Sequence, residues 1–103
     1  MTFAEMVYAL CRTIPAGKVT TYKALARALG ISSSQAVGQA LKRNPYAPLV
    51  PCHRVIKSDG SIGGFKGKIV GTEIEEKVRL LEREGITISQ GMVDLVKFGW
   101  FEI

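Results

Sequence analysis

The run Pro51-Cys52-His53-Arg54 places a thiol beside the only histidine of the chain. These are the two side chain types best suited to nucleophilic attack and proton transfer near neutral pH. Adjacency alone is a weak signal, because a buried cysteine usually behaves as a small hydrophobe and a single histidine is commonly structural. Composition narrows the options. Two cysteines and one histidine cannot supply the four ligands of an ordinary structural zinc site, so no metal is expected. A cysteine hydrolase needs its histidine against the thiol, and an extended strand at Cys52-His53 would point the two side chains to opposite faces. What remains is a thiol whose histidine acts through local turn geometry or a bridging water, with a remote carboxylate orienting the ring.

Caps and periodicity predict the elements that must hold these residues. Thr2 and Glu5 form a capping box, and Phe3, Met6, Val7 and Leu10 follow at helical spacing, which predicts a first helix to about Arg12. After the turn Ile14-Pro-Ala-Gly17, residues Tyr22 to Leu29 read as a second helix stopped by Gly30. Ser32 and Gln35 read as another capping box, opening a third helix through Ala36, Val37, Ala40 and Leu41 with Pro45 past its end. Two short helices joined by a glycine-containing turn of about four residues match a helix-turn-helix, here over about residues 21–43. Three prolines between Asn44 and Pro51 predict a rigid loop. A strand then leads into a tight hairpin at Asp59-Gly60, so the active-site loop and hairpin occupy about 44–67. Gly63, Gly64 and Gly67 leave the following segment free to bring backbone close to a ligand. Thr72 to Glu75 cap a last helix with the stripe Ile74, Val78 and Leu81, ending at Gly85, and 86–88 and 92–100 read as strands or extended segments. The expected fold is mainly α with a small β-hairpin, a winged helix-turn-helix-like single domain over 1–103.

At 103 residues, 47% hydrophobic and 22% charged, the chain is too apolar to be a disordered tail and sized for one domain. No run reaches the roughly 20 apolar residues of a membrane span, and the N-terminus lacks a secretion signal, so no membrane role and a cytoplasmic setting are expected. Cys11 and Cys52 are expected to be reduced thiols. The net charge of +5 is unevenly placed: ten basic residues from Arg12 to Lys68 face one acid, Asp59, whereas residues 69–103 carry four bases and seven acids. Such a basic block suits a polyanion-facing surface, and a solvated basic face is the plainer alternative.

Val50-Pro-Cys-His-Arg-Val-Ile56 resembles the active-site signature of the O6-alkylguanine-DNA alkyltransferases. The likeness extends through Thr21-Tyr22, Ala36-Val-Gly38 and Arg43-Asn44-Pro45 upstream, and through Gly60, Gly63-Gly-Phe65 and Leu80-Leu-Glu-Arg-Glu-Gly85 downstream. The resemblance implies a cofactor-free, single-turnover enzyme whose helix-turn-helix enters the minor groove of double-stranded DNA and flips an alkylated guanine into a pocket. It implies that Cys52 takes the alkyl group, His53 takes the thiol proton through a water, Glu84 polarises the imidazole and Asn44 holds the turn. Tyr22 would press on the rotated phosphate and offer its hydroxyl to the purine. Backbone at Cys52 and Val55 would read the guanine amino group, the Lys66 amide would reach O6 and Phe65 would wall the pocket. Gln35, Ala36, Gly38, Arg43 and Arg54 complete the DNA and substrate contacts. Three features depart from the pattern. Gln35 stands where the family commonly inserts an arginine into the vacated stack; no separate N-terminal domain is evident; and Gly91 to Trp100 resembles the alkyltransferase-like proteins. Those proteins bind alkylated guanine without removing the group and typically carry tryptophan in place of Cys52. The alternative they imply is a lesion binder that recruits nucleotide-excision repair proteins, and a DNA-binding regulator without chemistry is a third reading. A monomer is expected, nucleoid-associated in a bacterial cell or nuclear in a eukaryotic one.

Overall fold

Short-range hydrogen bonds start the chain. The Thr2 hydroxyl accepts from the Glu5 amide at 3.1 Å, and the Glu5 carboxylate accepts from the Thr2 amide at 2.9 Å, so the expected capping box opens helix α1, Phe3–Cys11. The computed structural model describes residues 1–46, 49–63 and 71–103. Strand β1, Thr20–Thr21, runs directly into α2, Tyr22–Ala28, with the Thr21 hydroxyl capping the Ala24 amide. Gly30, at φ 73°, adopts the left-handed turn that ends α2. Helix α3, Ser34–Lys42, is capped by Ser33, which accepts from Ala36. The expected Ser32–Gln35 box is therefore shifted by one residue, and Gln35 is left exposed with no capping duty. Helices α1 and α2 both pack on α3 through Val7, Leu25, Val37 and Leu41, all buried. Each such side chain contributes on the order of 2 kcal/mol on leaving water.

The stretch expected as strand and hairpin is built differently. Cys52–Arg54 form one 3-10 turn, and strand β2, Val55–Ile56, pairs in parallel with β1 in the register Thr20 with Val55 and Thr21 with Ile56. The Asp59-Gly60 turn is present, closed by the Lys57 amide on the Ser61 carbonyl at 2.9 Å. Its far side does not continue the ladder, because Ser61 bridges to Met92. The antiparallel hairpin lies later, between β3, Ile88–Ser89, and β4, Met92–Val93, where Gln90 and Gly91 both take positive φ as a two-residue hairpin turn requires. Helix α4, Thr72–Arg83, is preceded by Gly71 without a side-chain cap, so Thr72 does not take the capping role expected of it. Residues 95–98, expected to be extended, form the short helix α5, Leu95–Phe98, because the Asp94 carboxylate accepts from the Val96 and Lys97 amides. A second core of Val19, Ile56, Leu81, Ile86, Val93 and Phe98 joins α4, the parallel pair and this C-terminal unit. Among the described residues no helix is long and apolar enough to cross a membrane.

Candidate active site

A 3-10 turn rotates successive side chains by about 120° rather than the 180° of a strand. Cys52 and His53 therefore do not point apart as a strand would direct them. Cys52 lies at the edge of the first core, 7% exposed, with its amide on the Val50 carbonyl at 2.8 Å. Asn44 braces the loop beneath it, donating from Nδ2 to the Val50 carbonyl at 3.0 Å and accepting the Tyr46 amide at 2.9 Å.

His53 is buried, and its Nε2 lies 2.9 Å from Glu84 Oε2 at the C-terminal end of α4. Burial would raise the Glu84 carboxyl, but hydrogen bonds from Arg54, from His53 and from the Gly17 amide hold it down at about 2. The carboxylate is ionised, so the imidazole must donate to it from Nε2, and Nδ1 carries the lone pair. Burial is also the main cause that keeps the His53 pKa below its ordinary value, against the pull of Glu84, so a neutral ring with a basic Nδ1 is its resting form.

Arg54 is turned into this network. Its guanidinium forks onto Glu84 from Nε at 2.9 Å and Nη2 at 2.8 Å and donates from Nη1 to the Ile14 carbonyl at 2.8 Å. Glu84 in turn accepts the Gly17 amide at 3.2 Å. Gly17 sits at φ 88° with the Glu84 carbonyl 3.3 Å from where a Cβ would lie, so a side chain there is both strained and crowded. Turn, loop and α4 thus meet on one carboxylate.

Lys77 joins the site without a motif that marks it. It sits on the α4 stripe between Ile74 and Leu81, fully buried, and its Nζ donates to the Val55 carbonyl at 2.9 Å and the Ile62 carbonyl at 2.5 Å. Burial pulls its pKa down to about 7, and a negative charge on Cys52 would act to raise it. A lysine at i+3 of an apolar stripe was the signal available in the sequence. The same Nζ lies 6.0 Å from the centre of the Tyr22 ring. Burial, with smaller contributions from Cys52 and Cys11, pushes the Tyr22 phenol up to about 12, so its hydroxyl stays a donor. Val55 is engaged on both sides, its amide on the Cys52 carbonyl and its own carbonyl under Lys77.

On α3, Gln35 is exposed and Ala36 and Gly38 are half-buried, and Arg43, the C-cap, is exposed. A Cβ added at Gly38 meets nothing within 4 Å, so nothing in the described residues requires that glycine. Mid-helix glycine costs roughly 0.5–1 kcal/mol relative to alanine, a cost that no packing among the described residues offsets. Phe65 and Lys66 lie outside the described residues. No group of three or more potential metal ligands occurs among the described residues.

A helix-turn-helix domain followed by a turn that carries a thiol and an imidazole, the imidazole held by an ionised carboxylate, is the class these elements define. Residues 2–86 match the family described as 6-O-methylguanine DNA methyltransferase, DNA binding domain, and the chain belongs to that family. It is 41% identical over 86 residues to the methylated-DNA–protein-cysteine methyltransferase of Methanothermobacter thermautotrophicus, covering 84% of this chain and 46% of that protein. The chain spans about a third to a little over half the length of the curated relatives it matches. Among solved structures, S. pombe Atl1 in complex with damaged DNA containing O6-carboxymethylguanine superposes with a TM-score of 0.82 at 34% identity, over 97% of this chain and 98% of that one. The O6-methylguanine-DNA methyltransferase of Pyrococcus kodakaraensis strain KOD1 superposes with a TM-score of 0.71 at 46% identity, over 84% of this chain and 47% of that one.

Proposed function

We propose that this domain repairs alkylated DNA by moving the alkyl group from guanine O6 to Cys52. The observation that carries the reading is the His53–Glu84 pair beside Cys52, with the carboxylate ionised and Nδ1 left basic. His53 takes the thiol proton at Nδ1 through a water, and Glu84 steadies the imidazolium that forms. Lys77, buried near the sulfur, favours the thiolate by its charge. The sulfur attacks the alkyl carbon as the carbon–O6 bond breaks, and the electron pair leaves on the purine. Tyr22 serves as hydroxyl donor on the base side, and guanine regains the proton that the thiol lost. The thioether has no hydrolytic route in the site, so each molecule turns over once. Gln35, Ala36, Gly38 and Arg43 form the DNA face, and Asn44 and Val55 fix the loop around the flipped base. The molecule would work wherever double-stranded DNA is held, in the nucleoid or the nucleus.

The match to S. pombe Atl1 over nearly all of both chains favours a second reading, lesion recognition without transfer. One experiment separates them. The protein is mixed with a duplex containing O6-methylguanine, and the Cys52 peptide is weighed by mass spectrometry. One added methyl on that peptide, lost in Cys52→Ala while DNA binding persists, is the expected result. Tight binding with the lesion intact and the thiol free overturns transfer in favour of recognition.

A further inference from the structure

Residues 87–103 lie past the family domain, and the last of them return to α2, where they build one wall of a groove of about 440 Å³. The tail is anchored there, since the Trp100 amide donates to the Val19 carbonyl at 2.7 Å and Val19 bridges in parallel to Gly99. Phe101 is nonetheless 52% exposed. Phe101 and Ile103 line the tail side of the groove, and Lys23, Arg27, Ala24 and Ala28 line the α2 side. Lys23 and Arg27 stand one helical turn apart, a rise of about 6 Å. Neither side chain is hydrogen-bonded or ion-paired among the described residues. Between them and the ring, the alanines leave a shallow floor that a chain backbone can approach.

We propose that this groove is a second nucleic-acid contact, in which Lys23 and Arg27 hold successive phosphates of one DNA strand and the Phe101 ring takes a sugar or an unpaired base. The inference rests on the repair reading, and it deepens it by adding a strand track beside the site. Two features favour DNA over an acidic protein segment. Thr21, the N-cap of α2 next to Tyr22, also lines the groove, so the groove begins at the end of α2 that carries Tyr22. An aromatic face at the end of a cationic wall is the arrangement that binds strands without regard to sequence.

The test is binding of an O6-methylguanine duplex carrying a short single-stranded overhang, measured by fluorescence polarisation over a salt series. The double variant K23Q/R27Q is expected to lower the slope of log affinity against log salt by about 2, near one per phosphate contact, while single-turnover transfer at saturating DNA stays at the wild-type rate. Phe101→Ala is expected to weaken overhang binding about fivefold or more with little change in slope. Wild-type slope and affinity in K23Q/R27Q overturn the groove proposal and leave the repair reading standing. So does a labelled Glu- and Leu-rich peptide that binds wild type but not the double variant, while duplex affinity stays the same in both. A wild-type protein that binds no duplex at any salt sinks both.

Discussion

Helix α4 brings a charge of each sign to the site, Lys77 near its middle and Glu84 at its end, and their surroundings differ. Glu84 meets a guanidinium, an imidazole and a backbone amide, and these partners hold it ionised down to about pH 2 despite its partial burial. Lys77 is fully buried beneath backbone carbonyls, and burial brings its pKa down to about 7. The partnered charge is locked in one state and serves as a fixed reference for His53. The sealed charge is poised to change state in the range where a thiol also titrates. Proximity to Cys52 alone would have suggested similar roles, and the difference comes from the partners.

The largest expected effect tests the sealed charge. Lys77 has a folded pKa below its unfolded value, so the cost of burying the ammonium is present in full below pH about 7 and disappears as pH rises through 10.5. Wild-type stability, followed by urea unfolding, is expected to climb between those pH values by on the order of 4 kcal/mol, and Lys77→Met is expected to remove the climb. The same variant should move the pH midpoint for alkylation of Cys52 by iodoacetamide upward; a stationary midpoint would show that Lys77 serves packing alone.

Next comes the partnered charge. Glu84→Ala strands the Arg54 guanidinium and releases His53, with an expected loss of about 2–3 kcal/mol in stability and about 100-fold in single-turnover transfer. Arg54→Lys, which keeps the charge but not the fork, should retain most of the stability and show whether the bidentate geometry sets the rate. Glu84 has a depressed folded pKa, so its contribution is present above about pH 4.5 and fades as pH falls toward 2. Acid titration of Glu84→Gln should lack that part of the wild-type decline.

The smallest expected effect concerns the open face of α3. Gly38→Ala is expected to add about 0.5–1 kcal/mol to stability while weakening duplex binding, because a methyl fits the free protein but stands where DNA would approach. Stabilisation with unchanged DNA affinity would place the DNA face elsewhere.

Features that depend on a few neighbouring residues were legible in the chain. The Thr2–Glu5 box, the Gly30 stop and the two helices that form the helix-turn-helix follow from hydrogen bonds and apolar spacing within a turn or two of helix. The pairing of thiol and histidine was visible as adjacent letters, and Glu84 entered through its family motif. The path of the chain decided the rest. Val55 and Ile56 pair in parallel with residues 35 positions earlier, an arrangement that leaves the Asp-Gly turn present but without the expected ladder. Arg54 reaches Glu84 across 30 residues and turns into the site, although its type and place in a basic block suited an outward contact. Lys77 looked like one more surface charge until packing sealed it. Local geometry is written in short-range spacing, whereas the state of a charge depends on which distant groups the fold brings against it, and only the tertiary structure decides that.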